Sequence, residues 1–150
     1  MGSDERRRDP RLSPAADRDS VVLDASAMVD LLLNAPPASD VRLRLRGERL
    51  HAPAHFDAEV LSALGRLSRA GHLPAGAASA LLQKVEHARI RRHPIGPLLT
   101  GAWDRRGDLR LVDALYVELA ERLSATIIST DDRLVAAASQ AENPASSPNS

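Results

Sequence analysis

The chain alternates short, wholly apolar stretches with longer ones in which apolar residues recur every three or four positions. Val21–Leu23 is apolar throughout, the pattern of a strand covered on both faces. Asp24 ends it, and 27–33 predicts a helix that stops before Asn34-Ala35-Pro36-Pro37. Ser39 is placed to cap a second helix running to about Arg46 and closed by Gly47. Residues 50–53 predict another short strand. In the helix expected over 55–70, Val60, Leu61, Leu64 and Leu67 share a face, and Gly71 follows as the stop. Pro74 opens a helix to about Ala88, 89–92 reads as an edge strand, and Pro94 opens a helix to about Asp104. The 113–124 stretch predicts a helix with Leu115, Tyr116, Leu119, Ala120 and Leu123 inward. Thr126–Ser129 is a further buried strand, before a short helix through Leu134 and Val135. Strand–helix alternation of this kind predicts an α/β domain with a parallel sheet flanked by helices.

The two ends break the pattern. Residues 1–20 carry five acidic and five basic residues and two prolines, and 139–150 is polar with two prolines. Neither can bury enough apolar surface to offset its ordering entropy, so both are expected to be disordered tails around one folded domain over 21–138. After Leu134 the run AAASQAENPASSPNS has no strand pattern. With 150 residues, 43% of them apolar, the chain supports one core rather than two. The absence of cysteine excludes a disulfide scaffold, a thiolate metal site and a cysteine nucleophile. No apolar run reaches the ~18 residues of a membrane span and no leader opens the chain, which is the pattern expected of a cytoplasmic protein. Twenty basic and twenty acidic residues cancel, so any nucleic-acid contact must come from a local patch.

The acids are where the chemistry gathers. Ligands of open α/β sheets bind at the carboxyl ends of the strands. Asp24 immediately follows one apolar run, and Asp131, with Asp132 competing for its place, follows another. Glu59 and Asp113 lie in the first turns of their helices, off the apolar stripe. Taken singly, each of the two has an ordinary use as a helix-dipole partner, and Asp113 or Asp131 as a cap. Taken together they would repel, by ~4 kcal/mol for two carboxylates ~4 Å apart at an effective dielectric near 20. That is a large share of the ~5–15 kcal/mol that holds a domain together. Raised pKa values or a bound cation must relieve it. An all-oxygen site suits Mg²⁺ or Mn²⁺, which points toward phosphodiester hydrolysis.

The blocks VVLDASAMVDLLL, HAPAHFDAEVLSALGRL and LRLVDALYVELAERLSATIISTDDRLVAAA, in that order, resemble the three conserved blocks of PIN-domain proteins. The resemblance covers about 21–138 and is nearest to the VapC-type toxins of type II toxin–antitoxin pairs. It implies a three-layer α/β/α fold with a short parallel sheet of about four to five strands. It also implies a divalent-metal (Mg²⁺ or Mn²⁺) endoribonuclease held inactive by a cognate VapB-type antitoxin, and usually a homodimer. The family's catalytic and metal-binding acids carry over to Asp24, Glu59, Asp113 and Asp131, with Asp132 the alternative to Asp131. Ser26 matches a position that supports the metal or its waters, or else merely starts a helix. The family usually ends in a further strand, which this sequence does not display.

Three arginine groups could supply counter-charge to RNA: Arg42, Arg46 and Arg49; Arg89, Arg91 and Arg92 with His93; and Arg105, Arg106 and Arg110. The last group immediately precedes Asp113 and is the expected substrate-binding set. Trp103 beside it either stacks a base or belongs to the core. Met28, Leu31, Leu32 and Leu33 exceed what one buried helix face needs. They are either ordinary core or, as the resemblance implies, part of an antitoxin groove. A phosphoryl-transfer domain of the receiver or haloacid-dehalogenase-like sort would need a lysine on a late strand, and Lys84, the single lysine, is mid-helix. The alternative outside enzymology is a catalytically silent PIN-like module that binds RNA or protein. It would be signalled by a missing acid, and none is missing.

Overall fold

The computed structural model describes residues 19–146. Five strands, β1 (Ser20–Leu23), β2 (Arg49–Pro53), β3 (Ile90–His93), β4 (Thr126–Ile128) and β5 (Ala141–Glu142), form one sheet in the order β3-β2-β1-β4-β5. Every pairing is parallel. Seven helices flank it in a three-layer α/β/α arrangement: α1 (Ala25–Leu33), α2 (Ala38–Leu45), α3 (Phe56–Arg69), α4 (Ala75–His87), α5 (Leu99–Asp104), α6 (Leu111–Leu123) and α7 (Asp132–Ala137). The apolar runs lie where their composition demands. Val21, Val22 and Leu23 of β1 and Ile127 and Ile128 of β4 are at most 1% exposed, because helices cover both faces of the central strands. Tyr116, Phe56 and Leu64 are the largest side chains packed against them. No helix among the described residues is long and apolar enough to cross a membrane.

Strand order decides where a ligand can sit. β1 lies between β2 and β4, so the chain leaves β1 toward one edge and returns through β4 on the other side. The carboxyl ends of β1 and β4 therefore frame the crevice of a doubly wound sheet. Val21 pairs with Thr126 and Leu23 with Ile128, which brings Asp24 and the Ser129–Asp131 segment to the same rim. The Asp24 N–H donates to the Ile128 carbonyl (3.0 Å) and extends the pairing to that rim.

The structure corrects several local expectations. Ser39 does not cap α2: the helix starts at Ala38, and Pro37 occupies the cap position. Leu61 is 55% exposed, because α3 buries only the narrower stripe of Phe56, Val60 and Leu64. The predicted helix after Pro94 is split into a 3-10 turn (Gly96–Leu98) and the short α5. Gly71 does stop α3, adopting φ +79°, where a Cβ would be strained.

The missing last strand is present. β5 occupies 141–142, inside the segment expected to be a disordered tail, and pairs Ala141 with Ile127 and Glu142 with Ile128. The Ile127 N–H donates to the Gln140 carbonyl and the Ser129 N–H to the Glu142 carbonyl. Arg44 of α2 binds the Glu142 carboxylate and ties the edge strand down. Two residues are too few to leave a periodic signal, and backbone pairing alone defines the strand. At the other end Ser20 already belongs to β1. The rest of the expected N-terminal tail, 1–18, and 147–150 lie outside the described residues.

Candidate active site

Asp24 is the first residue beyond β1 and occupies the N-cap position of α1, yet its side chain makes no cap bond to the helix. It turns instead into the crevice. Its Oδ2 accepts hydrogen bonds from Ser26 Oγ and Ser129 Oγ, both at 2.7 Å. The Thr130 N–H donates to Ser26 Oγ (3.2 Å), and the Asp131 N–H to Ser129 Oγ (3.0 Å). Each hydroxyl accepts one backbone N–H and donates its own proton to Asp24. Asp24 is 6% exposed. Burial pushes its carboxyl above the usual range and outweighs the two serine hydrogen bonds, while the charges of Glu59 and Asp113 push the same way.

Glu59 stands in the first turn of α3. Tyr116 Oη, from α6, donates to its Oε1 at 2.7 Å, and His55 Nε2 lies 3.2 Å from the same oxygen. Burial alone would push Glu59 up. Hydrogen bonds from His55 and Tyr116, with the charges of His55 and Arg110, hold it below the ordinary value instead. Asp113 is the third residue of α6 rather than its cap, and Arg110 Nε donates to its Oδ2 at 3.0 Å. Asp131 caps α7 through Oδ1, which accepts from the Arg133 N–H. Asp24, Ser26, Glu59, Arg110, Asp113 and Asp131 all line one open pocket of about 740 Å³. Asp132 is not among its lining residues. Its carboxylate accepts from Asn143 Nδ2 (3.2 Å), beside β5.

The arginines divide differently from the sequence expectation. Arg110 faces the acids. Arg105 is bound to Glu118 and Glu121 across the α5–α6 packing. The Glu118 carboxylate there fills the space that any side chain at Gly101 would need. Arg106 lies with its guanidinium 4.7 Å from the centre of the Trp103 ring and donates to the Trp103 carbonyl. Neither lines the acidic pocket. Adjacency in sequence does not carry over, because the turn between α5 and α6 sends Arg105 back onto α6. Trp103 is 55% exposed and is not core.

The sequence pattern does not single out Ser129, Tyr116 or His55, nor Asp30 and Arg66, which line the same pocket. Ser129 was assigned to the strand, although it ends an apolar run as Asp24 does. Tyr116 was read as core, and it is fully buried. A buried phenol needs a partner, which was the available signal.

The donor set around the pocket is oxygen throughout, which fits Mg²⁺ or Mn²⁺. A buried carboxylate whose Oδ1 takes no hydrogen bond among the described residues fits a cation further. No three His or acidic groups among the described residues converge tightly enough to wrap an ion alone. The acids instead ring a wide pocket, which is the arrangement for an ion that retains several waters.

The sequence matches the PIN domain family over residues 21–140. It is 52% identical over 128 residues to Ribonuclease VapC3 of Mycobacterium tuberculosis, covering 85% of this chain and 93% of that protein. Among solved structures, that of M. tuberculosis VapC20, described as a Sarcin-Ricin loop cleaving toxin, superposes with a TM-score of 0.61. The identity is 19%, over 78% of this chain and 94% of that one. A toxin–antitoxin complex from Klebsiella pneumoniae aligns equally well, with a TM-score of 0.61 at 13% identity over 83% of this chain and 97% of that one. The sheet order, the acids at its crevice and these likenesses agree: the chain belongs to the PIN-domain family, as a VapC-type member.

Proposed function

We propose that the protein is the toxin of a toxin–antitoxin pair, a divalent-metal-dependent endoribonuclease that hydrolyses RNA phosphodiester bonds in the cytoplasm. The observation that carries this reading is the single pocket lined by Asp24, Glu59, Asp113 and Asp131, at the crevice where ligands of such sheets bind. The ribonuclease name of a relative 52% identical over most of both chains supports it. Asp24 and Asp113, with Glu59 and Asp131, would hold Mg²⁺ or Mn²⁺, and Ser26 would orient Asp24. When bound, the ion supplies water activation and offsets the charge of the scissile phosphate. Arg110, on the rim, would hold the RNA backbone.

The experiment is cleavage of a structured RNA by purified protein in Mg²⁺, Mn²⁺ or chelator. Products are expected with either metal, none with chelator, and none from Asp113→Asn at unchanged fold. Retention of RNA without metal-dependent products would favour the silent binding module and overturn the nuclease. The metal should also raise the melting temperature, because it relieves carboxylate repulsion. A melt indifferent to millimolar metal would count against the site.

RNA affinity tests the arginines separately. Arg110→Ala is expected to weaken binding and to flatten the dependence of log affinity on log salt by about 0.7, the value for one phosphate contact to a single strand. Arg105→Ala should leave that slope unchanged and lower the melting temperature, since Arg105 is bound to Glu118 and Glu121. Equal slopes for wild type and Arg110→Ala would remove Arg110 from the substrate path.

The partner reading has its own support. Met28, Leu31, Leu32, Leu45 and the stems of Arg42, Arg46 and Lys84 line a groove of about 500 Å³ between α1, α2 and α4, suited to an apolar helix of a VapB-type antitoxin with acidic flanks. Leu99, Trp103, Leu111 and Val112, each about half exposed, form a second apolar patch on α5 and α6, of the kind a homodimer covers.

A further inference from the structure

We propose that His55 and Tyr116 are positioning residues that clamp one oxygen of Glu59, so that its other oxygen is presented to the cation in the acidic pocket. The inference rests on the metal-site reading above and concerns how this chain prepares that site.

The argument starts from Glu59 itself. Its side chain is 31% exposed and stands on a helix rim, where a glutamate ordinarily samples several rotamers. Here two side chains converge on a single atom, one by a hydrogen bond and one by close approach. Tyr116 Oη reaches Oε1 from α6 at 2.7 Å, and His55 Nε2 reaches it from the start of α3 at 3.2 Å. Oε2 takes no hydrogen bond among the described residues. A phenol that merely needed a partner would be satisfied by either oxygen. Convergence of both side chains on one leaves the carboxylate with a single free oxygen and a fixed direction.

The tautomer of His55 follows from its neighbours. Nε2 makes its hydrogen bond to the Val112 carbonyl at 3.0 Å and faces Glu59 Oε1 as well, so both atoms near it are acceptors, and Nε2 carries a proton. Nδ1 is buried without a partner among the described residues. The ring packs edge-on against Tyr116, with centroids 5.0 Å apart and planes at 61°. One imidazole therefore touches three things at once: Glu59, the phenol that also holds Glu59, and the backbone of the residue preceding Asp113. That last bond ties the first turn of α6 to the first turn of α3. It fixes Asp113 and Glu59 relative to each other, although they belong to different helices. An orphaned imidazole nitrogen is a cost that such a tie offsets.

Outer contacts that orient a metal ligand are worth about 10–100-fold in metal affinity. The test is Mn²⁺ titration of the full chain, followed by the paramagnetic signal of the free ion, with thermal melting alongside. Tyr116→Phe keeps the ring and removes the donor, and His55→Ala removes the tie. Each is expected to weaken Mn²⁺ binding about 10-fold, whereas His55→Gln, with an amide donor near the Nε2 position, should recover most of the loss. In a Glu59→Gln background Tyr116→Phe should not weaken binding further, and His55→Ala should lose only what its tie to α6 supplies. A purely structural role would weaken both backgrounds alike. Mn²⁺ affinity within twofold of wild type in both Tyr116→Phe and His55→Ala would overturn the clamp alone. So would losses that add in full to that of Glu59→Gln. Wild-type protein that binds no Mn²⁺ would overturn the metal-site reading and the clamp with it.

Discussion

Asp24→Asn should abolish metal-dependent RNA cleavage and, at the same time, make the metal-free protein harder to melt at neutral pH. The two effects have one cause. Asp24 is 6% exposed, and its neighbours across the pocket are the negative side chains of Glu59 and Asp113. Burial and those charges raise its carboxyl above the unfolded value, so the folded state binds the proton more tightly than the unfolded state does. Stability therefore falls as pH rises from the ordinary carboxylate range, near 3.9, through the raised folded value, and stays lower above it. Asparagine carries no such charge and can still accept the serine hydroxyls through its carbonyl oxygen. Its melting temperature should exceed that of wild type at pH 7, and the gap should close as the pH is lowered below about 4. The same substitution removes the most buried of the carboxylates proposed to hold the ion. The expected loss of cleavage is more than about 100-fold, beyond what losing an outer contact costs. The rise in melting temperature on adding Mg²⁺ or Mn²⁺ should shrink with it. A variant that cuts RNA at the wild-type rate would remove the mechanism.

Ser129→Ala should also slow cleavage, but with the opposite effect on stability. Ser129 Oγ is fully buried, donates to Asp24 Oδ2 and accepts the Asp131 N–H. Removing it leaves a buried carboxylate with one donor fewer and a backbone N–H without its acceptor. Leaving buried polar groups unpaired costs about 1–3 kcal/mol. In a domain of this size that lowers the melting temperature by several degrees. Because Asp24 then turns freely about its remaining bond to Ser26, metal affinity and cleavage should fall about 10–100-fold. Calorimetry and the cleavage assay on the same two variants separate the predictions. Asp24→Asn melts higher and is inactive, whereas Ser129→Ala melts lower and cuts about 10–100-fold more slowly. Equal melting temperatures for Ser129→Ala and wild type would mean that the hydroxyl does not support the acid as the geometry implies.

The contrast between these residues marks how much of the site was legible in sequence. Asp24 was legible because a carboxylate that ends an apolar run has nowhere to go but the rim of the sheet. Glu59 and Asp113 were legible as first-turn acids off the apolar stripes of their helices, and Asp131 as an acid just past the second buried run. Ser129 obeys the same strand-end rule as Asp24, but a serine is compatible with the strand and carries no distinguishing signal. Arg105 and Arg106 were read by adjacency to Asp113. The turn before α6 gives Arg105 to Glu118 and Glu121 and lays Arg106 on Trp103. Trp103 itself, half exposed, shows that helical spacing alone cannot tell a core tryptophan from one on an open patch.

The sequence by itself determined the elements with strong periodicity, the α/β class, the order of the three blocks that carry the family likeness, and the candidate acids. These depend on side-chain pattern and on local backbone preference, both of which are written residue by residue. Tertiary structure alone decided the placement of β1 between β2 and β4, the pairing of a two-residue β5 with β4, the choice of Asp131 over Asp132 as the pocket-lining acid, and the meeting of His55, Tyr116 and Glu59. Each is settled by backbone pairing or by contact between residues far apart along the chain. Such contacts form only when the helices close over both faces of the sheet.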